Sequence, residues 1–230
     1  MFGFFYNDST PTGITIRSTT MLQLSSHSFQ DGETIPGEFA FAVPDATSHI
    51  ALSSNHNPHL AWHGAPEGTQ SFVLICHDPD VPSRGDDVNQ EGREVSASLP
   101  RVDFYHWLLL DIPASVNEIP AASHSTGITP RGKAGPDAPT GIRHGVNDYT
   151  AWFASDEQMN GTYYGYDGPC PPWNDAIVHH YIFTLYAIAT PVLAIEGELN
   201  GANVRAALAS APVLAEATLT GLYTLNPALL

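Results

Sequence analysis

The chain has 230 residues, enough to bury one sizeable core, and because β-rich folds of this length are commonly undivided a single domain over residues 1–230 is expected. Asp and Glu number 24 against 8 Lys and Arg, a net charge of -16, which excludes general attraction to nucleic-acid phosphates or anionic lipid surfaces. Glycine and proline at 19 each, with only 14% charged residues, exclude a disordered acidic chain and point to strands joined by long ordered loops.

In chain order, the opening MFGFFYNDSTPTG lacks the basic stretch and apolar run of a signal peptide, and no apolar run approaches a membrane span. A cytoplasmic protein with no stable membrane insertion is therefore expected. Residues 14–24, ITIRSTTMLQL, alternate loosely and predict a first strand, and Glu38 to Val43 predicts a weak second one. Between them Asp31-Gly32 marks a turn. The loop at 55–69 holds a short apolar piece, Leu60 to Trp62, and three histidines, His56, His59 and His63. A helical His-x-x-His pair would suggest a metal, but Asn57-Pro58 disfavours a helix there, and loop histidines with no paired carboxylate read as solvated.

Three stretches predict central strands. SFVLICH at 71–77 is apolar and β-favouring, and is expected to stop at Asp78-Pro79-Asp80-Val81-Pro82-Ser83, with Val81-Pro82 a candidate cis bond. Residues 84–103 are polar and without helical period, a surface loop. FYHWLLLDI at 104–112 is the second, with His106, Leu108, Leu110 and Ile112 on one side and Tyr105, Trp107, Leu109 and Asp111 on the other. Pro113 ends it, 113–120 suggests a helical turn, and 121–145 is loop. The third follows the rigid turn Tyr164 to Trp173, whose glycines and prolines prevent helix or ladder. It spans Val178 to Ile188, with His179, Tyr181, Phe183, Leu185 and Ala187 alternating against His180, Ile182, Thr184, Tyr186 and Ile188. Towards the C-terminus, Ala202 to Leu208 and Val213 to Ala217 read as Ala/Leu-rich helices, with Asn200 or Asn203 as N-cap, and Thr218 to Leu225 as a strand. Cys76 and Cys170 are too few for a zinc framework and read as reduced thiols with no redox role.

Each central strand carries polar chemistry at one end. If the first is antiparallel to the other two, its exit at Asp78 lies beside their entries at His106 and at His179 and Tyr181. Such a cluster suits an imidazolium that holds an anion. It equally suits a mononuclear iron or zinc site, a catalytic acid/base pair, or plain structural hydrogen bonding. No Gly-x-Ser-x-Gly or His-Glu-x-x-His motif is present to favour a hydrolase.

HDPDVPS at 77–83, FYHWLLLDIP at 104–113, GVNDY at 145–149 and YDGPCPPWNDAIVHHYIFTLYAI at 166–188 resemble the phosphatidylethanolamine-binding protein family, in particular its bacterial Raf-kinase-inhibitor-like branch. FQDGETIP, NPHLAWHGAPEGTQSF and the final LTGLY extend the resemblance over nearly the whole chain. It implies a mainly β, sandwich-like fold of two antiparallel sheets with short C-terminal helices, and a small rim pocket for phosphoryl-type anions. By motif match the ligand-binding residues are Asp78, Pro82, His106, His179 and Tyr181, with Asp80, Gly168, Pro171 and Pro172 shaping the wall. A non-enzymatic binding protein with no cofactor is implied, one that regulates a protein kinase or protease; the alternative is a hydrolytic or metal-dependent enzyme built on the same Asp/His/His cluster. Three departures stand out: Val81 where the family often has Ala, the long excursion at 84–103, and an insert from 150 that brings Trp152, Phe153, Tyr163 and Tyr164 to the mouth. Those aromatics, with Trp173, suggest a homodimer contact.

Overall fold

The structure, a computed structural model, describes residues 21–230, so the opening segment and residues 14–20 of the first predicted strand lie outside it. The chain forms β1 (Gln23–Ser25), β2 (Ala42–Asp45), β3 (His49–Leu52), β4 (Leu60–His63), β5 (Ser71–Pro82), β6 (Arg101–Pro113), β7 (Glu118–Ile119), β8 (Arg143–His144), α1 (Tyr149–Trp152), β9 (His179–Ile188), α2 (Gly201–Ser210) and β10 (Val213–Tyr223). The fold is mainly β, and every pairing between these strands is antiparallel. A five-stranded sheet in the order β10-β9-β5-β6-β8 faces a three-stranded sheet, β1-β4-β7, and β2-β3 is a separate hairpin.

One buried cluster joins the two larger sheets, with Leu24, Leu60, Trp62 and Ile119 against Leu74, Trp107, Phe183 and Leu219. A second covers the outer face, where Val73, Ile75, Leu108 and Leu110 pack under Val204 and Leu208 of α2. Because β5, β6 and β9 are buried on both faces, they read in sequence as near-continuous apolar runs. Asn200 caps α2, its side chain accepting the Asn203 N–H at 3.0 Å.

Several expectations are corrected. Of Glu38 to Val43 only Ala42 and Val43 are strand, as the start of β2, since a 3-10 turn at Gly37–Phe39 precedes them. Val213 to Ala217 is no helix, so only α2 and a 3-10 turn at Pro227–Leu229 stand near the C-terminus. Ala215, Ala217 and Leu219 alternate towards the core, and ten residues of β10 pair with β9, which outweighs Ala/Leu helix propensity. Residues 113–120 hold a turn and β7 in place of a helical turn. The cis bond among the described residues is Gly135–Pro136, not Val81–Pro82.

β5 does not stop at Asp78. It runs on to Pro82 through an irregularity: three steps from Asp78 to Val81 match two on β6, from Phe104 to Val102. Two further register shifts affect β6. One falls where Cys76 and His77 face Trp107 and Tyr105, leaving His106 as the extra residue, and the other where Phe72 and Leu74 face Ile112 and Leu109. Such bulges reverse the face a side chain takes. Thus His106 turns inward against Tyr181 instead of outward with Leu108, and Ile112 joins Leu109 and Trp107 in the inner core. Asp111, at the second shift, takes φ 60°, pairs with Arg143, and accepts the Leu193 N–H at 2.8 Å.

Candidate functional site

A cavity of about 380 Å³ opens at the end of the large sheet where β5 leaves and β6 and β9 enter. Asp78, His106 and Tyr181 form its polar floor, and Cys170, Pro171 and Pro172 one wall. A larger cavity of about 820 Å³ lies between α2 and residues 190–196, but Glu196 is the single titratable side chain lining it. Chemistry converges on the smaller cavity.

His106 is buried, and its Nδ1 lies 2.7 Å from the carbonyl oxygen of Asp167. A carbonyl only accepts, so Nδ1 carries the hydrogen and Nε2 is left to the cavity. Burial pulls the His106 pKa below the ordinary histidine value, against the opposing field of Asp78, which makes the neutral ring with an accepting Nε2 the resting form. Beside it, with ring centroids 5.1 Å apart, Tyr181 is 1% exposed, and its hydroxyl, though near Asp78, meets no partner at hydrogen-bonding geometry. Burial and then Asp78 push the phenol well above its usual pKa, so it stays a neutral donor. An unpaired buried hydroxyl is costly, and one that lines a cavity is a ligand's natural partner.

Asp78 is sealed and doubly engaged. Its Oδ1 accepts the Asp80 N–H at 2.8 Å, a contact made by the irregular Asp78-Pro79-Asp80 turn of the strand, and its Oδ2 lies 2.7 Å from His179 Nδ1. His179 does not line the cavity. It is fully buried behind Asp78, with Nε2 3.0 Å from Asp175 Oδ2. Since carboxylates accept from both ring nitrogens, the ring is an imidazolium. Burial opposes that charge, but the hydrogen bonds to Asp175 and Asp78 outweigh it and raise the pKa to about 9. Arg101 closes the row, gripping Asp175 with two bonds of 2.6 and 3.0 Å. Burial pushes the Asp175 carboxyl up, yet His179 and Arg101 together hold it below the usual range. Arg101, Asp175, His179 and Asp78 thus alternate in sign and balance, so the positive charge of His179 is already matched before any ligand arrives.

Pro82, expected among the ligand-binding residues, and Asp80, expected in the wall, lie beyond the cavity lining; Asp80 instead accepts the His180 backbone N–H at 2.8 Å and lies 2.7 Å from its Nδ1. Gly168 sits behind the wall, where an added Cβ would come within 2.2 Å of the Phe39 carbonyl oxygen. Its own carbonyl accepts the Tyr149 hydroxyl at 2.7 Å, and its N–H donates to Asn55 at 2.8 Å. Val81, Trp152 and Phe153 line the cavity, whereas Tyr163 is wholly buried with its hydroxyl on the Met159 carbonyl, and Tyr164 lies off the mouth. Trp173 stacks on His49 with ring centroids 3.8 Å apart. Most of the aromatic surface expected at a homodimer contact is therefore engaged within the chain, leaving Trp152 exposed.

Sequence reasoning missed what holds the floor. Asp167, fully buried, accepts from Asn55 and Asn147 at 2.8 Å each and pairs with Lys133 at 2.9 Å, and its carbonyl fixes His106. Asn147 and Asp167 were visible inside the GVNDY and YDGPC motifs, but nothing local links them to Asn55 or Lys133. The loop histidines at 56 and 59 do have carboxylate neighbours, contrary to expectation: His59 Nε2 lies 3.1 Å from Glu118 and His56 Nδ1 3.9 Å from Glu38. Among the described residues no group of three or more His, Cys, Asp or Glu side chains is arranged to hold a metal ion. Cys76 and Cys170 are both free, and burial raises the Cys170 thiol to about 12. No helix among the described residues is long and apolar enough to cross a membrane.

A family model described as phosphatidylethanolamine-binding protein matches residues 25–224. The UPF0098 protein YbcL of Escherichia coli K12 is 28% identical over 209 residues, covering 89% of this chain and 88% of that protein. The UPF0098 protein of Methanothermobacter thermautotrophicus is 31% identical over 202 residues, 88% of this chain and 98% of its own length. The crystal structure of E. coli YbcL, described as a new member of the mammalian PEBP family, superposes with a TM-score of 0.62 over 88% of this chain and 98% of that one, at 28% identity.

Proposed function

Since this chain belongs to the phosphatidylethanolamine-binding protein family, we propose that it is a non-enzymatic binding protein whose rim cavity takes the small anionic head, of phosphoryl or sulfuryl type, of a soluble ligand. The observation that carries this reading is that Tyr181, whose buried hydroxyl is unpaired, and His106, whose Nδ1 is taken by the Asp167 carbonyl, both line one cavity at the end of β5. Binding is favoured over hydrolysis because the lining offers no Ser, Thr or Lys, and a thiol held near 12 is a poor nucleophile at Cys170.

An anion needs positive charge, and His179 has none to spare. The proton comes to His106. In the free protein burial keeps the His106 pKa below about 6.5, and an anion beside Nε2 raises it. Between those two values binding takes up a proton, so affinity increases as pH falls. Methyl sulfate, which keeps its charge, separates this from titration of the ligand. Calorimetric titration is expected to give roughly tenfold tighter binding at about pH 5.5 than at about pH 8. His106→Ala should lose the dependence, and Tyr181→Phe should weaken binding about fivefold. Equal affinity at the two pH values, or wild-type binding by His106→Ala, returns both residues to a structural role.

A further inference from the structure

We infer that a cavity of about 280 Å³ between α2 and the β9–β10 edge of the large sheet is a second ligand site, for a small zwitterion of the α-amino acid type with an aliphatic side chain, its carboxylate on Arg205 and its ammonium on Glu216. Tyr186, Arg205, Leu208, Ala209, Val213 and Glu216 line this cavity, which shares no residue with the rim cavity. Tyr186 and Leu208 belong to the outer cluster under α2, whereas Tyr181 of the rim belongs to the inner one. Arg84, Arg93, Arg101, Lys133 and Arg143 each pair with a carboxylate of the chain. Arg205 is half-buried and, among the described residues, has no carboxylate partner; Asp103 pairs with His77, at 3.9 Å.

Arg205 is nonetheless held in place. Its Nε donates to the Tyr105 hydroxyl at 2.9 Å, and Nη2 lies 3.4 Å from both ring nitrogens of His77. Burial, and then Arg205 itself, pull the His77 pKa below the ordinary histidine value, so that ring stays neutral beside the guanidinium. Nη1 has no partner among the described residues, which leaves a fixed, charged donor at one wall of the cavity. Glu216 stands directly opposite Tyr186 across β10 and β9, which puts its carboxylate on the same face of the sheet. No ion pair among the described residues joins it to Arg205, although both line one cavity. Opposite charges that share a cavity without meeting suit a ligand that carries both signs. Between them Leu208, Ala209, Val213 and the Tyr186 ring offer apolar surface for its side chain, the usual make-up of a small-ligand site. At no more than roughly 30 Å³ for each non-hydrogen atom, leucine fits a cavity of about 280 Å³.

The test is a titration of isotope-labelled protein with leucine, isocaproate and isopentylamine at about pH 7, where leucine is a zwitterion, followed by amide shifts in NMR. Leucine is expected to bind with a Kd on the order of 1 mM and to shift the amides of α2 around Arg205 and of β10 around Glu216. Isocaproate, which lacks the ammonium, and isopentylamine, which lacks the carboxylate, should each bind at least about fivefold more weakly. Glu216→Gln, an exposed position, should reduce leucine to the affinity of isocaproate, and Arg205→Gln should reduce it to that of isopentylamine, with thermal unfolding confirming that both variants are folded. No shifts from leucine at about tenfold above the expected Kd overturn the site. Shifts confined to the rim around Asp78 and Tyr181 also overturn it, while leaving the rim cavity as the chain's anion site. Equal binding by leucine and isocaproate, or full leucine binding by Glu216→Gln, overturns the zwitterion.

Discussion

His106 and His179 enter the same sheet end and meet opposite fates, because burial and neighbouring carboxylates act on both in different proportion. His106 faces one carbonyl and Asp78 at a distance, so desolvation wins and the ring is neutral. His179 touches two carboxylate oxygens, so hydrogen bonding wins and the ring is charged to about pH 9. The consequence for stability has a definite sign. A group whose folded pKa lies above its unfolded value of about 6.5 contributes fully below that value and loses its contribution as pH rises through the folded one. His179 should therefore supply about 3 kcal/mol at pH 6 that is lost towards pH 9.5, visible as a falling urea midpoint. His179→Gln should remove that slope and cost about 3–5 kcal/mol, since it leaves Asp78 and Asp175 buried without their shared cation. A flat stability profile between those pH values would mean the ring is not held as an imidazolium.

At the level of elements, backbone irregularities aim the site. Period-two alternation correctly divides β9, where His179, Tyr181, Phe183, Leu185 and Ala187 all turn to the inner side. The same rule fails on β6, because bulges at His106 and Asp111 insert residues that no local pattern announces. The strand order that brings Asp78 to the histidines was legible, since a central strand antiparallel to both neighbours is the simplest arrangement of three apolar runs. Arg101 and Asp175 were not, because 74 residues separate two partners that meet only through tertiary folding. The failed helix at Val213 to Ala217 has the same origin, as pairing with β9 decides the conformation. The Gly168 turn illustrates where sequence does speak: its close approach to the Phe39 carbonyl admits no side chain. Gly168→Ala should cost about 1–3 kcal/mol in denaturant unfolding. Gly85→Ala, where an added Cβ meets nothing within 4 Å, should stay within about 0.5 kcal/mol of wild type. Equal effects at the two positions would contradict the wall geometry.

Across the whole molecule, a net charge of -16 opposes the approach of any anion, and the balanced row from Arg101 to Asp78 adds no net attraction behind the floor. On the proposed function, affinity then comes from short-range donors and from a proton acquired on binding. Screening should assist rather than weaken the encounter: raising ionic strength with a salt that does not enter the cavity is expected to speed methyl sulfate association, read by stopped-flow, and slower association would place an unseen cationic surface near the mouth. The most direct measurement is the proton count itself. Titrating methyl sulfate at about pH 7 in two buffers of different ionisation enthalpy gives the number of protons taken up per ligand bound. Uptake of roughly 0.3–0.5 proton in the wild type, the fraction that a tenfold affinity change between about pH 5.5 and pH 8 implies, and none in His106→Gln is the expected result; binding with no proton uptake, or with the same uptake in His106→Gln, would contradict a floor that acquires its charge at His106.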